Sequence, residues 1–193
     1  MKDRWIHEKL EADIGHDRYL HSVRVMETCI DLARHHGYHV EKVAIAGLLH
    51  DCGRLLDVKR MLKLIGDFDI ILDSIARDNT GLIHAILGEE LARREYHIGD
   101  VEVLNAIRFH TTGRENMNST EKIVYIADII EPNRNFPGVE NIRDMAYRDI
   151  DGSILHSMEG TLKFLIETSA PIHLDTIRAR NQLLRLKKWG DTR

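Results

Sequence analysis

Gly47-Leu48-Leu49-His50-Asp51-Cys52-Gly53-Arg54 closes a short, very apolar helical pattern, Val43-Ala44-Ile45-Ala46-Gly47-Leu48-Leu49, on a histidine followed directly by an aspartate. A carboxylate at the end of a buried run is costly unless something cationic meets it. Neutral imidazole nitrogen and carboxylate oxygen are both ordinary ligands for zinc, iron or manganese, and a metal ion is such a cation. Adjacent helical residues diverge by ~100°. His50 and Asp51 therefore reach an ion at an edge, and further ligands must arrive from other helices.

Working outward, residues 3–12 give a short amphipathic helix with Trp5, Ile6 and Leu10 on one side. Gly15-His16-Asp17 then opens a long helix, with Asp17 as its N-cap, periodic through Leu20, Val23, Met26, Ile30 and Ala33 up to Gly37. Asp17, His21, Arg24 and Thr28 fall at i, i+4, i+7 and i+11, a polar stripe that reads as a solvated face or as one wall of a site. Gly47, His50, Asp51 and Arg54 share a face of the next helix, Val40 to Asp51, where the missing side chain at Gly47 would let a ligand approach closely. Cys52 beside the pair reads as a small buried thiol ahead of a ligand.

Residues 55–83 hold one or two shorter helices, and His84 opens another, His84 to Ala92. Asp100 caps a helix ending at Phe109-His110, before Thr111-Thr112-Gly113. There His110 either meets a phosphate alongside hydroxyl donors or simply answers the helix dipole. Ser119 or Thr120 caps Glu121 to Glu131, and Pro132 stops it. Asp128 lies on that helix among Ile126, Ala127, Ile129 and Ile130, where an unpartnered carboxylate is expensive and a metal is a better explanation than solvent. Helical stretches over 141–150, 151–168 and 175–188 follow, and no segment shows strand periodicity. The expected fold is all-α.

The chain has 193 residues, 43% hydrophobic and 30% charged, the balance of one domain with a real core. Its net charge of −4 argues against non-specific binding to nucleic acid or an anionic membrane, so a polyanionic substrate must meet locally clustered cations. Met1 to His7 lacks the apolar segment of a signal peptide, no apolar run has membrane-spanning length, and Cys29 and Cys52 form no framework. A cytoplasmic location is expected.

The order His21, His50-Asp51, Asp128, each on its own helix, resembles the HD-domain phosphohydrolase superfamily. Arg108-Phe109-His110-Thr111-Thr112-Gly113-Arg114, Glu121 to Asp128, Glu131-Pro132-Asn133-Arg134-Asn135-Phe136-Pro137-Gly138-Val139 and Asp175-Thr176-Ile177-Arg178-Ala179-Arg180-Asn181 look like signatures of the YqeK family within it. The resemblance runs from about Asp17 to Asn181. It implies a single HD-type helical bundle over 1–193, with a core at about 17–135 and C-terminal helices at about 141–190 completing the fold and a nucleotide pocket.

It further implies a metal-dependent hydrolase that splits diadenosine tetraphosphate symmetrically to two ADP through attack of a metal-bound water. His21, His50, Asp51 and Asp128 would hold the metal, iron first, with manganese or cobalt as alternatives. His50, Asp51, His84 and His110 would carry catalysis, the last two either as phosphate contacts or as ligands of a second metal bridged by Asp51. Asp17, His21, Arg54, Thr111, Asp128 and Arg134 join His84 and His110 as substrate contacts. Pro171 to Thr176, with Ile172, His173 and Thr176, would line the nucleoside pocket, and Arg54, Arg114 and Arg134 are the cations aimed at the phosphate chain. Two alternatives stay open: an HD phosphatase acting on a nucleoside mono- or diphosphate or a nicotinamide nucleotide precursor, and a non-catalytic nucleotide sensor. The C-terminal helices serve either the core alone or a homodimer.

Overall fold

The computed structural model describes residues 4–77 and 79–190, so the part of the leader reading that rests on residues 1–3 lies outside the described residues. Eleven helices are described: α1 (Arg4–Ile14), α2 (His16–His36), α3 (Val40–Leu49), α4 (Val58–Asp67), α5 (Ser74–Arg77), α6 (Thr80–Glu95), α7 (Val101–Phe109), α8 (Ser119–Ile130), α9 (Val139–Arg148), α10 (Ile150–Glu167) and α11 (Leu174–Gly190). No strand occurs among the described residues. The all-α expectation is met.

A helix whose middle is apolar on most sides has to be surrounded, and the Ile123–Ala127 stretch of α8 is. Ile123, Val124, Tyr125, Ile126 and Ala127 are all buried, and α8 packs against α2, α3, α7, α9 and α10. Each large side chain so buried contributes roughly 1.5–3 kcal/mol relative to exposure. Asp128 is carried on this axis, while α2 and α3 cross beside it and bring His21 and the His50-Asp51 pair.

Two glycines set how closely these helices meet. A Cβ on Gly47 would lie 2.8 Å from Cys29 Sγ and 3.1 Å from Met26 Cα, so this glycine admits α2 against α3 and not a ligand, which corrects the sequence reading. A Cβ on Gly53 would lie 2.1 Å from the His84 carbonyl oxygen and 2.8 Å from Gly88 N. The turn after His50-Asp51 is thus pressed directly onto α6, and only glycine permits it.

Several helix starts differ from the sequence reading. α2 begins at His16 with Gly15 as its N-cap, so Asp17 stands in the first turn, where it favours the helix dipole without capping. α6 begins at Thr80, capped by Asn79, whose Oδ1 accepts Gly81 N–H at 2.9 Å; His84 lies one turn inside instead of at the start. Asn118, not Ser119 or Thr120, caps α8, in a reciprocal capping box with Glu121. Arg114 forms a two-point ion pair with that buried Glu121 at 2.6 and 2.7 Å, which ties its guanidinium to the α8 capping box. α3 ends at Leu49, and the next residues tighten into i→i+3 turns, Cys52 N–H to Leu49 O at 3.0 Å and Arg54 N–H to Asp51 O at 2.9 Å.

Candidate metal centre

Five helices deliver six side chains to one buried cluster. His21, His50 and Asp51 form one set, His50, His110 and Asp128 a second, and Asp51, His84 and His110 a third, with the ligand atoms of each set within 4.8 Å of one another. All four metal candidates read from the sequence, and both additional histidines, come together.

The four imidazoles are oriented alike. His50 Nδ1–H donates to Gly47 O at 2.7 Å and His110 Nδ1–H to Ile107 O at 2.7 Å, each ring turning back onto the last carbonyls of its own helix. His84 Nδ1 faces Thr80 O at 3.4 Å, and His21 Nδ1 faces the Glu131 carboxylate at 3.2 Å. Carbonyl and ionised carboxylate oxygens only accept, so the proton sits on Nδ1 and every Nε2 turns a lone pair into the cluster. For His110, answering the helix end and serving the site are one arrangement.

These lone pairs fit a cation. Nε2 of His21 and of His50 are buried with no hydrogen-bond partner, an expensive state in the absence of something electrophilic. His21 Nε2 is 3.1 Å from Asp128 Oδ1. Nε2 of His84 and Nε2 of His110 stand 3.0 Å apart, two lone pairs that repel unless a proton or cation joins them. Asp51 spans both halves: Oδ1 is 3.1 Å from His84 Nε2 and 3.6 Å from His110 Nε2, while Oδ2 is 3.5 Å from His50 Nε2 and 3.8 Å from His21 Nε2.

Burial pushes the His50 imidazole down to about 4 against the pull of Asp51 and Asp128, keeping it neutral at physiological pH, and it lowers His84 in the same way. Burial alone would raise the Asp51 carboxyl; positive charge on His50 and His84, and hydrogen bonds donated by His110 and His84, lower it well below the carboxylate range when those rings carry a proton towards it, and a cation held between them would exert the same pull. For Asp128 burial is likewise opposed, by a hydrogen bond from His21 and by charge on His50 when those rings are protonated towards it and by the Arg134 guanidinium, and its carboxyl is also lowered. Neutral imidazoles beside ionised carboxylates are the protonation states that metal ligation needs. Cys52 is excluded from that role: burial raises its thiol, which donates to Gly88 O at 3.3 Å.

Arginines ring the rim. Arg54 Nε is 2.8 Å from Asp51 Oδ1, Arg18 Nη1 is 3.0 Å from Asp51 Oδ2, and Arg134 reaches both the Asp128 carbonyl, at 2.7 Å, and its carboxylate. Arg18 was not singled out in the sequence, although it sits one turn before His21. Glu131, the helix end that opens the loop signature, has no site role in the sequence reading, yet it is buried, three residues beyond Asp128, and accepts from His21, Arg24 at 2.9 Å and Asn133 N–H at 2.8 Å. Arg143 on α9 clamps this corner by donating to the carbonyls of Ile130, Glu131 and Arg134.

One concavity opens onto the cluster at His21, and two others are lined by residues that follow His110 and Asp128 in the chain. Asp17, Arg18 and His21 line one of about 600 Å³ with Ile14, His16 and Leu56. Thr111 and His173 line another of about 230 Å³, with Arg108, Phe109, Asp73 and Asp175. Ile172 and Thr176 do not line that cavity: α11 starts at Leu174, which turns Thr176 into the core, while His173 and Asp175 face the opening. His173 is pinned there by Asp73 at 2.8 Å. The third lies beyond Arg134, between the α8–α9 loop and α10.

The HD domain family model matches residues 18–133, a span that contains all six cluster residues. The chain is 44% identical over 167 residues to a symmetrical bis(5'-nucleosyl)-tetraphosphatase of Halalkalibacterium halodurans, covering 86% of this chain and 89% of that protein. It is 37% identical over 175 residues to the Bacillus subtilis protein of the same name, covering 91% and 94%. A crystal structure from Clostridium acetobutylicum, described as a predicted HD superfamily hydrolase involved in NAD metabolism, matches with a TM-score of 0.89 at 40% identity over 96% of this chain and 97% of that one. With that coverage and these side chains in one cluster, the chain belongs to the HD domain family, in the group that contains the symmetrical bis(5'-nucleosyl)-tetraphosphatases.

Proposed function

We propose that this protein is a divalent-metal-dependent hydrolase that cleaves the central phosphoanhydride of diadenosine tetraphosphate to give two ADP. The observation that carries the reading is the cluster itself, four Nε2 lone pairs and two carboxylates converging below a rim of arginines. His21, His50, Asp51 and Asp128 would hold the first metal, and His84 and His110 a second, with Asp51 shared. The 3.0 Å opposition of the two Nε2 atoms favours that second site over a purely phosphate-binding role. Iron is the metal we assign, with manganese or cobalt served by the same nitrogen and oxygen donors. Such a metal, when bound, supplies charge compensation on the phosphoryl oxygens and an activated water.

The remaining work falls to this chain's side chains. Arg18, Arg54 and Arg134 each have a partly exposed guanidinium and can turn from a carboxylate to the tetraphosphate, matching its charge with bidentate donors. Thr111 and His173, with Asp175, would receive one nucleoside, while Asp17 and Arg18 shape the open mouth. Water adds to one central phosphorus, the bond from that phosphorus to the bridging oxygen breaks, and both products leave as ADP. No side-chain nucleophile is required. The ligands lie within about 17–135, and we assign the helices of about 141–190 to completing the fold and the nucleotide pocket. Two free, buried thiols, Cys29 and Cys52, suit a reducing cytoplasm.

The test is anaerobic hydrolysis of diadenosine tetraphosphate by metal-stripped protein reloaded separately with Fe(II), Mn(II), Co(II) or Zn(II), with products resolved by ion exchange. ADP as the only nucleotide product, dependent on metal, is expected. Release of inorganic phosphate from mononucleotides or nicotinamide nucleotides, without tetraphosphate cleavage, would move the assignment to the class of substrate suggested by the Clostridium acetobutylicum protein's description.

A further inference from the structure

We propose that the groove beyond Arg134, between the α8–α9 loop and α10, is the subsite for the second nucleoside of the tetraphosphate substrate. The inference rests on the tetraphosphate reading above and adds what that reading leaves open: where the far end of a two-headed substrate goes. The groove has a volume of about 490 Å³ and is walled by Ile129, Phe136, Ile142 and Phe164, with His156 and Thr161 as polar groups.

Three observations favour a nucleoside there. Arg134 belongs both to the metal cluster, through Asp128, and to the groove lining, so the groove continues the site. No carboxylate lines the groove, whereas Asp73 and Asp175 line the Thr111 cavity and Asp17 lines the mouth. An approaching polyanion therefore meets one guanidinium, paired on its inner side with Asp128, and no carboxylate along the groove itself. Finally, Phe136 is 38% and Phe164 61% exposed, aromatic faces left uncovered where a base could stack. The Thr111 cavity follows His110 from α7, and this groove follows Asp128 from α8. A substrate with two identical ends, cut at its centre, places one nucleoside on each side of the site, and the Thr111 cavity accounts for only one of them.

The test compares Phe136→Ala, Phe164→Ala and Gly160→Phe. A Cβ on Gly160 meets nothing within 4 Å, so the bulky side chain fills the groove while a helical glycine is replaced, and this variant is expected to fold at least as well as the wild type. In metal-loaded protein, kcat/KM for diadenosine tetraphosphate should fall roughly tenfold in each variant, the loss of one stacked base. The inhibition constant of adenosine 5'-tetraphosphate, which has one nucleoside and uses the Thr111 cavity, should move by less than about twofold. Unchanged tetraphosphate kinetics in all three variants would overturn the subsite, as would parallel loss of both readouts or a change confined to solution mass, which marks the face as a contact between copies. A wild type that does not cleave the dinucleotide at all would instead remove the functional reading on which the subsite rests.

Discussion

Glu131→Gln tests whether the cluster is set by protons as well as by position. The carboxylate places Oε2 on two donors, Arg24 Nε–H and Asn133 N–H, and Oε1 on His21 Nδ1–H. An amide in the same place keeps its oxygen where two donors converge, which leaves its NH2 facing His21. The ring can meet an NH2 only by accepting at Nδ1, so its proton moves to Nε2, the atom that faces Asp128 at 3.1 Å. His21 then donates to Asp128, and both cease to be free ligands. Loss of such a supporting carboxylate costs ~10- to 100-fold in metal affinity, or roughly 1.4–2.8 kcal/mol. Anaerobic titration against a competing chelator measures the affinity. Nitrogen NMR of the histidines in metal-free protein reads the tautomer, which a merely structural role for Glu131 would leave unchanged. Metal affinity within twofold of wild type, or a His21 that keeps its Nδ1 proton, refutes the reasoning.

Other consequences follow from the same geometry. Asp51→Ala removes the one carboxylate shared by both halves of the cluster and should abolish metal retention and turnover while circular dichroism stays helical; substantial activity in that variant would contradict the ligand assignment. In metal-stripped protein, His50 stays neutral in the fold down to about 4 but takes a proton near 6.5 when unfolded, so its contribution is full above 6.5 and is lost as pH falls towards 4. That displacement is worth about 3 kcal/mol. His84 acts in the same direction, and the lowered Asp51 and Asp128 carboxyls lose their contribution only below the ordinary carboxylate range, so neither carboxyl opposes the fall between pH 7 and pH 5. Urea midpoints that do not decrease between pH 7 and pH 5 would refute it. Gly53→Ala puts a methyl 2.1 Å from the His84 carbonyl and should cost about 2 kcal/mol, with weakened metal binding because α6 is displaced from the turn; unchanged denaturant midpoint and metal affinity would count against the close approach.

What the sequence carried plainly was which side chains gather in one cluster, because a buried carboxylate in an apolar helix is a local contradiction. Asp51 and Asp128 each sit in such a run, and the fold answers both with imidazoles. The helix ends were less legible. Asn118 caps α8 where Ser119, an equally good capping residue, stands beside it, so propensity does not choose between them, and Asn79 caps α6 a full turn ahead of His84. The pairing of Arg114 with Glu121 was not legible, because the turn of the chain brings the two together and Glu121 is fixed only by the capping box. Gly47 looked like an opening for a ligand because the sequence gives no sign that Cys29 and Met26 occupy the same space. Arg18, Glu131 and Arg143 were overlooked for a related reason: charged residues near helix ends normally face water, and only the packing of α2, α8 and α9 turns these three inward.

That packing also explains why the site needs so few dedicated supports. A helix leaves its last carbonyls without N–H partners, and at the ends of α3 and α7 the free acceptors are used by His50 and His110 from the positions immediately following. Ending the helix, fixing the tautomer and aiming the ring are accomplished by one hydrogen bond in each case. His84, in mid-helix, has only the longer 3.4 Å approach to Thr80 O, and His21, also in mid-helix, requires Glu131 from another helix. The two histidines at helix ends are therefore oriented by their own backbones, and the two within helices are the ones whose aim depends on side chains or on a bound metal. Substitutions outside the cluster should accordingly weaken metal binding through Glu131 and His21 before they do so through His50.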